Sequence, residues 1–218
     1  MKPVVFTIVF SHFGRFPSGG APYPIFSYTA LLAWNFFANG LGRAAISVVN
    51  NANLISKIYF PRLLVPLAAA LAMIVDLAIG FAVLLGIMLW FGIMPTPAIL
   101  TLPLFALLDL LAVLGFGFWL SALNVKYRDV SHAVPLLIQL WMFVSPVVYP
   151  LSVVPSKWHL LYNLNPLVGV VQGFRWALLG EDVPQLALLA LNILVVLAVL
   201  SSGLAYFQRT EQTFADVI

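Results

Sequence analysis

The sequence predicts an all-α integral membrane protein, on three observations. Hydrophobic residues make up 63% of the 218 and charged residues 8%, whereas soluble domains carry roughly 25% charge. The apolar residues run in long stretches, several of them near the ~20 residues that carry a helix across a bilayer core, and mean hydropathy is +1.07. The ten lysines and arginines are scattered through short polar interruptions between those stretches, so they read as topology signals rather than as a nucleic-acid surface. No cysteine is present, which excludes a disulfide frame or thiolate metal site. Met1-Lys2-Pro3 leads into an apolar stretch with no A-x-A-like site, so no cleavable signal peptide is expected.

The elements follow in order along a single transmembrane domain, 1–218. Residues 3–13 form an apolar piece of only eleven residues, about 16 Å of helix and half a membrane. It reads as a partial span whose first half is missing, with a re-entrant piece as the alternative. Residues 25–49 are long enough to cross, with Asn35, Asn39 and Arg43 making the second half more polar. Residues 63–91 form the plainest span, broken only by Asp76 and glycines, and residues 98–123 the next, with Asp109 as their only charge. Residues 133–151 hold Pro135, Pro146 and Pro150, which predicts a kink or break near the end. Residues 186–207 are uncharged throughout.

Orientation follows from the loop cations. Strict alternation puts Lys57, Arg62, Lys126, Arg128 and Arg209 on one side with Arg43 near it, and Arg15, Lys157 and Arg175 on the other. Six against three makes the first side cytoplasmic, together with the C-terminus. The outer segment 152–183 is too apolar for a solvated loop and too interrupted for two spans. It reads as two short helices, 156–164 and 167–179, dipping into the outer leaflet, with an amphipathic surface hairpin as the alternative. Pro166 at a helix start and Gly180 after its end fit the expected asymmetry of helix termini. Trp158, Tyr162, Phe174 and Trp176 suit the headgroup level, and together with Arg175 they make up the expected outer-leaflet interface.

Catalytic patterns are absent from the sequence. There is no G-x-x-x-x-G-K-[ST] phosphate loop, no H-E-x-x-H and no nucleophile elbow. His12, His132 and His159 fall on opposite sides of the predicted membrane and cannot converge on a metal. Asp76 and Asp109 lie near mid-span, where an ionisable group is a functional hypothesis by default. They would suit a proton-coupled carrier; the plainer reading pairs each with a polar neighbour at a helix contact or holds it protonated. Gly80, Gly86, Gly115 and Gly117 read as close helix packing.

The two polar interruptions on the cytoplasmic side carry more information. In 51–61 an asparagine caps a short helix and Pro61 stops it. Leu54, Ile55, Ile58 and Tyr59 fall on one helical face, for lipid or for another protein. The segment 124–132, "NVKYRDVSH", is its smaller counterpart, packing two cations, an acid and a tyrosine into a tight turn.

These residues also carry a resemblance. "NANLISKIYFPRLLVPLA", "LSALNVKYRDV", "FVSPVVYPLSVVP", "NPLVGVVQGFRWALLG" and "RTEQTFADVI" are similar to the permease subunit of bacterial type-2 ABC exporters for O-antigen, capsular and related polysaccharides. The resemblance implies six spans per subunit, a homodimer of permeases, two separate ATPase subunits that bind ATP and Mg, and the bacterial inner membrane. No cofactor is expected on this chain itself. It implies that Asn53, Leu54, Ile55, Lys57, Ile58, Tyr59, Phe60 and Arg62, with Lys126, Tyr127, Arg128 and Asp129, couple to the ATPases. Phe6, Phe10, Trp34, Phe37, Trp141 and Phe143 become candidates to line a substrate path between the two copies, where rings can stack on sugar C–H faces. Members carry an amphipathic cytoplasmic helix and a first half of span one that do not precede residue 3 here, so a truncated first span is expected. The function implied is export of lipid-linked polysaccharide. Same-fold export of teichoic acid or a small lipophilic drug is the alternative, and a proton-coupled carrier using Asp76 and Asp109 the more distant one.

Overall fold

The computed structural model describes residues 22–214 except Tyr59 and Val148, and within them every regular element is helical. The partial span 3–13, with Phe6 and Phe10, lies outside the described residues. Helix α1 spans Tyr23–Asn50 and a six-residue helix α2 spans Ala52–Lys57. Helices α3 (Leu64–Leu71) and α4 (Met73–Trp90) are two halves of one apolar rod joined at Ala72. Pro66 is tolerated in α3 because it sits in the first turn, where backbone N–H groups have no helical acceptor. A 3-10 turn, Pro97–Thr101, leads into α5 (Leu102–Lys126), and α6 follows at Val130–Val144. After α6 come a 3-10 turn Ser156–Trp158, a single-turn α7 (His159–Tyr162) and α8 (Pro166–Leu179). Helix α9 spans Leu186–Thr210.

Among the described residues, three helical stretches are long and apolar enough to cross a membrane, Leu64–Trp90, Pro97–Lys126 and Leu186–Thr210. Helix α1 is comparable in length at 28 residues but carries polar side chains along one face. Helix α6 has 15 residues, about 22 Å and short of a ~30 Å core. After Val144 the chain turns through Ser145, Pro146 and Val147, all buried. Irregular backbone is stable at membrane depth only where protein encloses it or water reaches it.

Helix α5 is the centre of the bundle, packed between α1 and α9. All three run in the same direction. A Cβ built on Gly40 would touch the Val113 side chain at 3.0 Å, and one on Gly117 would stand 2.8 Å from the Ala44 Cβ, so residue numbers rise together along α1 and α5. Against α9, a Cβ on Gly115 would lie 2.8 Å from the Leu200 backbone N, and one on Gly203 would lie 2.2 Å from the Gly115 carbonyl oxygen. Small residues let these backbones approach, which is how helices associate when lipid is as apolar as the side chains. Gly86 differs from the expectation: nothing lies within 4 Å of its would-be Cβ, so it faces open space rather than a helix contact.

Candidate functional site

Helix α1 buries nearly its whole circumference, and its four exposed residues are Asn35, Asn39, Arg43 and Asn50. The first three recur at i, i+4 and i+8, one line along the helix. Asn35 and Asn39 lie near the middle of α1, and Arg43 lies seven residues from its end, about 10 Å. A small niche of about 120 Å³ brings Asn35 and Asn39 together with Asp76 of α4, and Tyr28 and Gly80 share its wall. Asp76 is exposed, as are its apolar neighbours Val75 and Ile79. A strip of amides, one guanidinium and one carboxylate therefore crosses an otherwise apolar surface. At that depth such groups face a water-filled space or another protein rather than lipid.

Asp109 behaves in the opposite way. It is fully buried, and neither carboxylate oxygen has a hydrogen-bond partner among the described residues. The two aspartates therefore stand in different surroundings, and Asp109 does not line the Asp76 niche.

The aromatic residues expected along a path sit largely inside one chain. Phe37 is fully buried and Trp34 nearly so. Phe37, Phe116 and Trp141 form an edge-on cluster, with ring centroids 6.3 Å apart for Phe37–Phe116, 5.2 Å for Phe37–Trp141 and 4.8 Å for Phe116–Trp141. The cluster ties α1, α5 and α6 together. Of the four described candidates only Phe143 presents its ring freely, while Trp141 is half-buried. Large apolar rings gain most from contacts within the bundle, and the polar ladder holds the exposed face of α1 instead.

Both polar turns lie at the same end. Asn124 donates from Nδ2 to the Ala45 carbonyl at 3.3 Å, and its Oδ1 accepts from the Ser131 N–H at 3.1 Å. That buried side chain fixes the turn against α1. Lys126, Tyr127, Arg128 and Asp129 are left exposed, with Lys126 Nζ 5.4 Å from the Tyr127 ring centroid. Arg62 donates from Nη1 to the Glu211 carbonyl, which brings the turn after α9 to the same face. Phe214 packs edge-on against Phe207 at 5.3 Å. Asn53, Leu54, Lys57 and Ile58 are exposed here and Phe60 is half-buried, while Tyr59 lies outside the described residues.

The single helical face expected of 51–61 is not what forms. Helix α2 ends at Lys57, Ile58 is extended at φ −128° and ψ 128°, and Ile55 turns into the core while Leu54 and Ile58 point out. Asn51 occupies the N-cap position without a side-chain cap bond; its Nδ2 donates backwards to the Ser47 carbonyl at 2.8 Å, closing α1 instead of opening α2. Six residues are too few to hold a helix by themselves, so the docking of Ile55 decides the local conformation.

The opposite end is held by three polar side chains. Asn165 caps α8 by accepting from the Leu167 N–H at 3.1 Å, accepts from Trp141 Nε1 at 3.1 Å, and donates to Ser145 Oγ at 2.9 Å. Asn192 of α9 donates to the carbonyls of Asn163 and Asn165 at 3.1 and 2.9 Å. Arg175 donates to the carbonyls of Val147 and Tyr149 at 3.1 and 3.3 Å, with its guanidinium carbon 3.7 Å from the Phe26 ring centroid. These bonds satisfy the irregular backbone beyond α6. Neither Asn165 nor Asn192 stood out as a site residue in the sequence; for Asn192, a lone amide inside an uncharged apolar run was the signal that could have found it.

Two of the residues expected at the outer-leaflet interface are enclosed by the chain itself: Phe174 is fully buried and Arg175 is 2% exposed. An arginine offers five donors in a fixed fork, and here unpaired carbonyls engage them in place of solvent. Trp158 is exposed, Tyr162 and Tyr149 share a hydroxyl–hydroxyl hydrogen bond of 2.6 Å, and Trp176 packs edge-on against Phe105 at 6.2 Å. In the loop after α8, burial pushes the Glu181 carboxyl above its usual range, with Arg175 pulling it back.

Residues 2–179 match the family described as ABC-2 type transporter. The chain belongs to that family. This ABC-2 chain is similar to the O-antigen export system permease protein RfbA of Myxococcus xanthus, 28% identical over 202 residues that cover 90% of this chain and 76% of that protein. The RfbA protein of Klebsiella pneumoniae is 25% identical over 197 residues, again 90% of this chain and 76% of that one. The inner membrane transport permease YadH of Escherichia coli is 31% identical over 100 residues, 45% of this chain and 38% of that one. The ABC-2 chain is thus a multi-pass inner-membrane permease, a transport subunit rather than an enzyme, working with a separate ATPase subunit.

Proposed function

We propose that this permease forms a homodimer that exports a lipid-linked polysaccharide of the O-antigen class, driven by ATP bound with Mg on two partner ATPases. The observation that carries the reading is the polar ladder of Asn35, Asn39 and Arg43 beside Asp76 on an apolar surface. Two copies that apposed such faces would enclose a hydrated strip for a polyhydroxylated chain, and side-chain amides both donate to and accept from hydroxyls. Similarity to O-antigen export permeases supports the same substrate class. On this reading the end bearing Lys57, Arg62, Lys126 and Arg128 is cytoplasmic and receives the ATPases, in line with the excess of loop cations there.

One observation leaves room for a second reading. An apolar groove of about 420 Å³ is lined by Leu41, Phe116, Trp119, Leu137, Ile138 and Trp141, among others. It suits the lipid tail of a lipid-linked polymer, and equally a lipophilic small molecule exported by the same fold. Reconstitution of permease and ATPase in vesicles separates the cases. ATP-dependent transfer of lipid-linked polysaccharide, with no transfer of lipophilic dyes, is the expected result. Substrate movement on a proton gradient without any ATPase would sink the proposal and revive the carrier.

A further inference from the structure

Beyond the ladder, the outer end holds a cavity of about 650 Å³ between the chain beyond α6, α7, α8 and the loop that leads to α9. Its polar wall comprises His159, Gln172, Arg175, Glu181, Asp182 and Gln185, and the rest is proline, glycine and aliphatic surface. The volume lies in the range of ~300–1,000 Å³ typical of small-ligand sites. We infer that this cavity is a saccharide subsite, holding a short neutral stretch of a polyhydroxylated chain at the outer mouth of the permease. The inference rests on the polysaccharide-export reading and on its assignment of this end to the outside.

The chemistry of the wall selects the class. Two carboxylates stand against one guanidinium, and that guanidinium already donates to the Val147 and Tyr149 carbonyls. An anion such as phosphate finds net repulsion there. A divalent cation has no ligand set either, because no group of three or more metal-ligating side chains occurs among the described residues. Gln172 and Gln185 supply both donors and acceptors, and Glu181 and Asp182 supply acceptors. Sugar hydroxyls, each both donor and acceptor, meet that mixture, while their C–H faces meet the aliphatic surface. Arg175 acts as the rigid floor, held from behind by its backbone partners, so the wall is formed before any ligand arrives.

The chain has no cysteine, so a single reporter thiol can be placed at the rim. Val183 is 67% exposed and lines the cavity, and Val183→Cys supplies that thiol in the purified permease–ATPase complex. Labelling by a membrane-impermeant maleimide is timed with mannotriose, maltotriose, inorganic phosphate or calcium chloride at matched ionic strength. A trisaccharide at about four times its dissociation constant should slow labelling about fivefold, since the free site falls as 1/(1 + [L]/Kd). Phosphate and calcium should leave the rate unchanged. Adding Gln172→Leu and Gln185→Leu should abolish the protection while the complex melts at the same temperature. Equal rates with every additive, or protection by phosphate or calcium instead, overturns the subsite. ATP-dependent polysaccharide export is measured on the same preparation. Export without protection removes the subsite alone, and absence of polysaccharide export removes the functional reading and the subsite with it.

Discussion

Gly203→Ala tests the central contact of the bundle. The added Cβ would stand 2.2 Å from the Gly115 carbonyl oxygen and 3.0 Å from the Trp119 ring. A close carbon–oxygen contact needs about 3.3 Å, so α9 must move away from α5 by roughly 1 Å. Backbone blocks the approach, and no side-chain rotation can relieve it. A gap of about 0.5–1 Å forfeits a quarter to a half of each dispersion well along the interface, and overpacking of this kind costs about 1–3 kcal/mol. Gly86→Ala is the matched control, because nothing lies within 4 Å of its Cβ position. Both variants gain up to about 1 kcal/mol in helix propensity, so that gain cancels and the overpacking remains. The two should therefore differ by about 2 kcal/mol, or roughly 4–8 °C in Tm for a chain of this size. Thermal melts of the purified protein in detergent, followed by tryptophan fluorescence, read the difference. A Gly203→Ala protein that melts level with Gly86→Ala would refute the backbone contact.

Three further outcomes are expected. Arg175→Met leaves the Val147 and Tyr149 carbonyls without their charged donor, at about 1–3 kcal/mol each; a lowered Tm with faster proteolysis between Val144 and Pro155 checks this, whereas an unchanged melt would count against the role. Asn39→Cys should react with an impermeant maleimide far faster than Leu194→Cys, although both positions are exposed, because one lies on the polar strip and the other on an uncharged apolar stretch; equal rates would remove the hydrated strip. Lys57→Glu and Arg128→Glu reverse charges on the end proposed for the ATPases and should lower substrate-stimulated ATP hydrolysis while the permease still inserts; full coupling in both would disconnect that surface from the motor.

Sequence by itself determined the class and the punctuation of the chain. The long apolar runs favour helices that satisfy their own backbone, because a bilayer offers no other partner. Pro166 and Gly180 marked the ends of α8, where an asparagine N-cap and a left-handed glycine at φ 68° now stand. The motifs around 51–62 and 124–130 carried the resemblance to type-2 ABC permeases, and the family match agrees with it. Tertiary structure decided which face each helix shows. Periodicity could group Leu54, Ile55, Ile58 and Tyr59, but the docking of Ile55 and the extended Ile58 broke the group. Sequence could group Phe174 and Arg175 on one outer-leaflet helix but could not show them buried, because the carbonyls of Val147 and Tyr149 lose helical partners only once the chain turns away from α6. That need arises from the folded path rather than from any local pattern. A buried carbonyl left unpaired is costly, so one guanidinium that serves two of them is held inside the protein instead of at its surface.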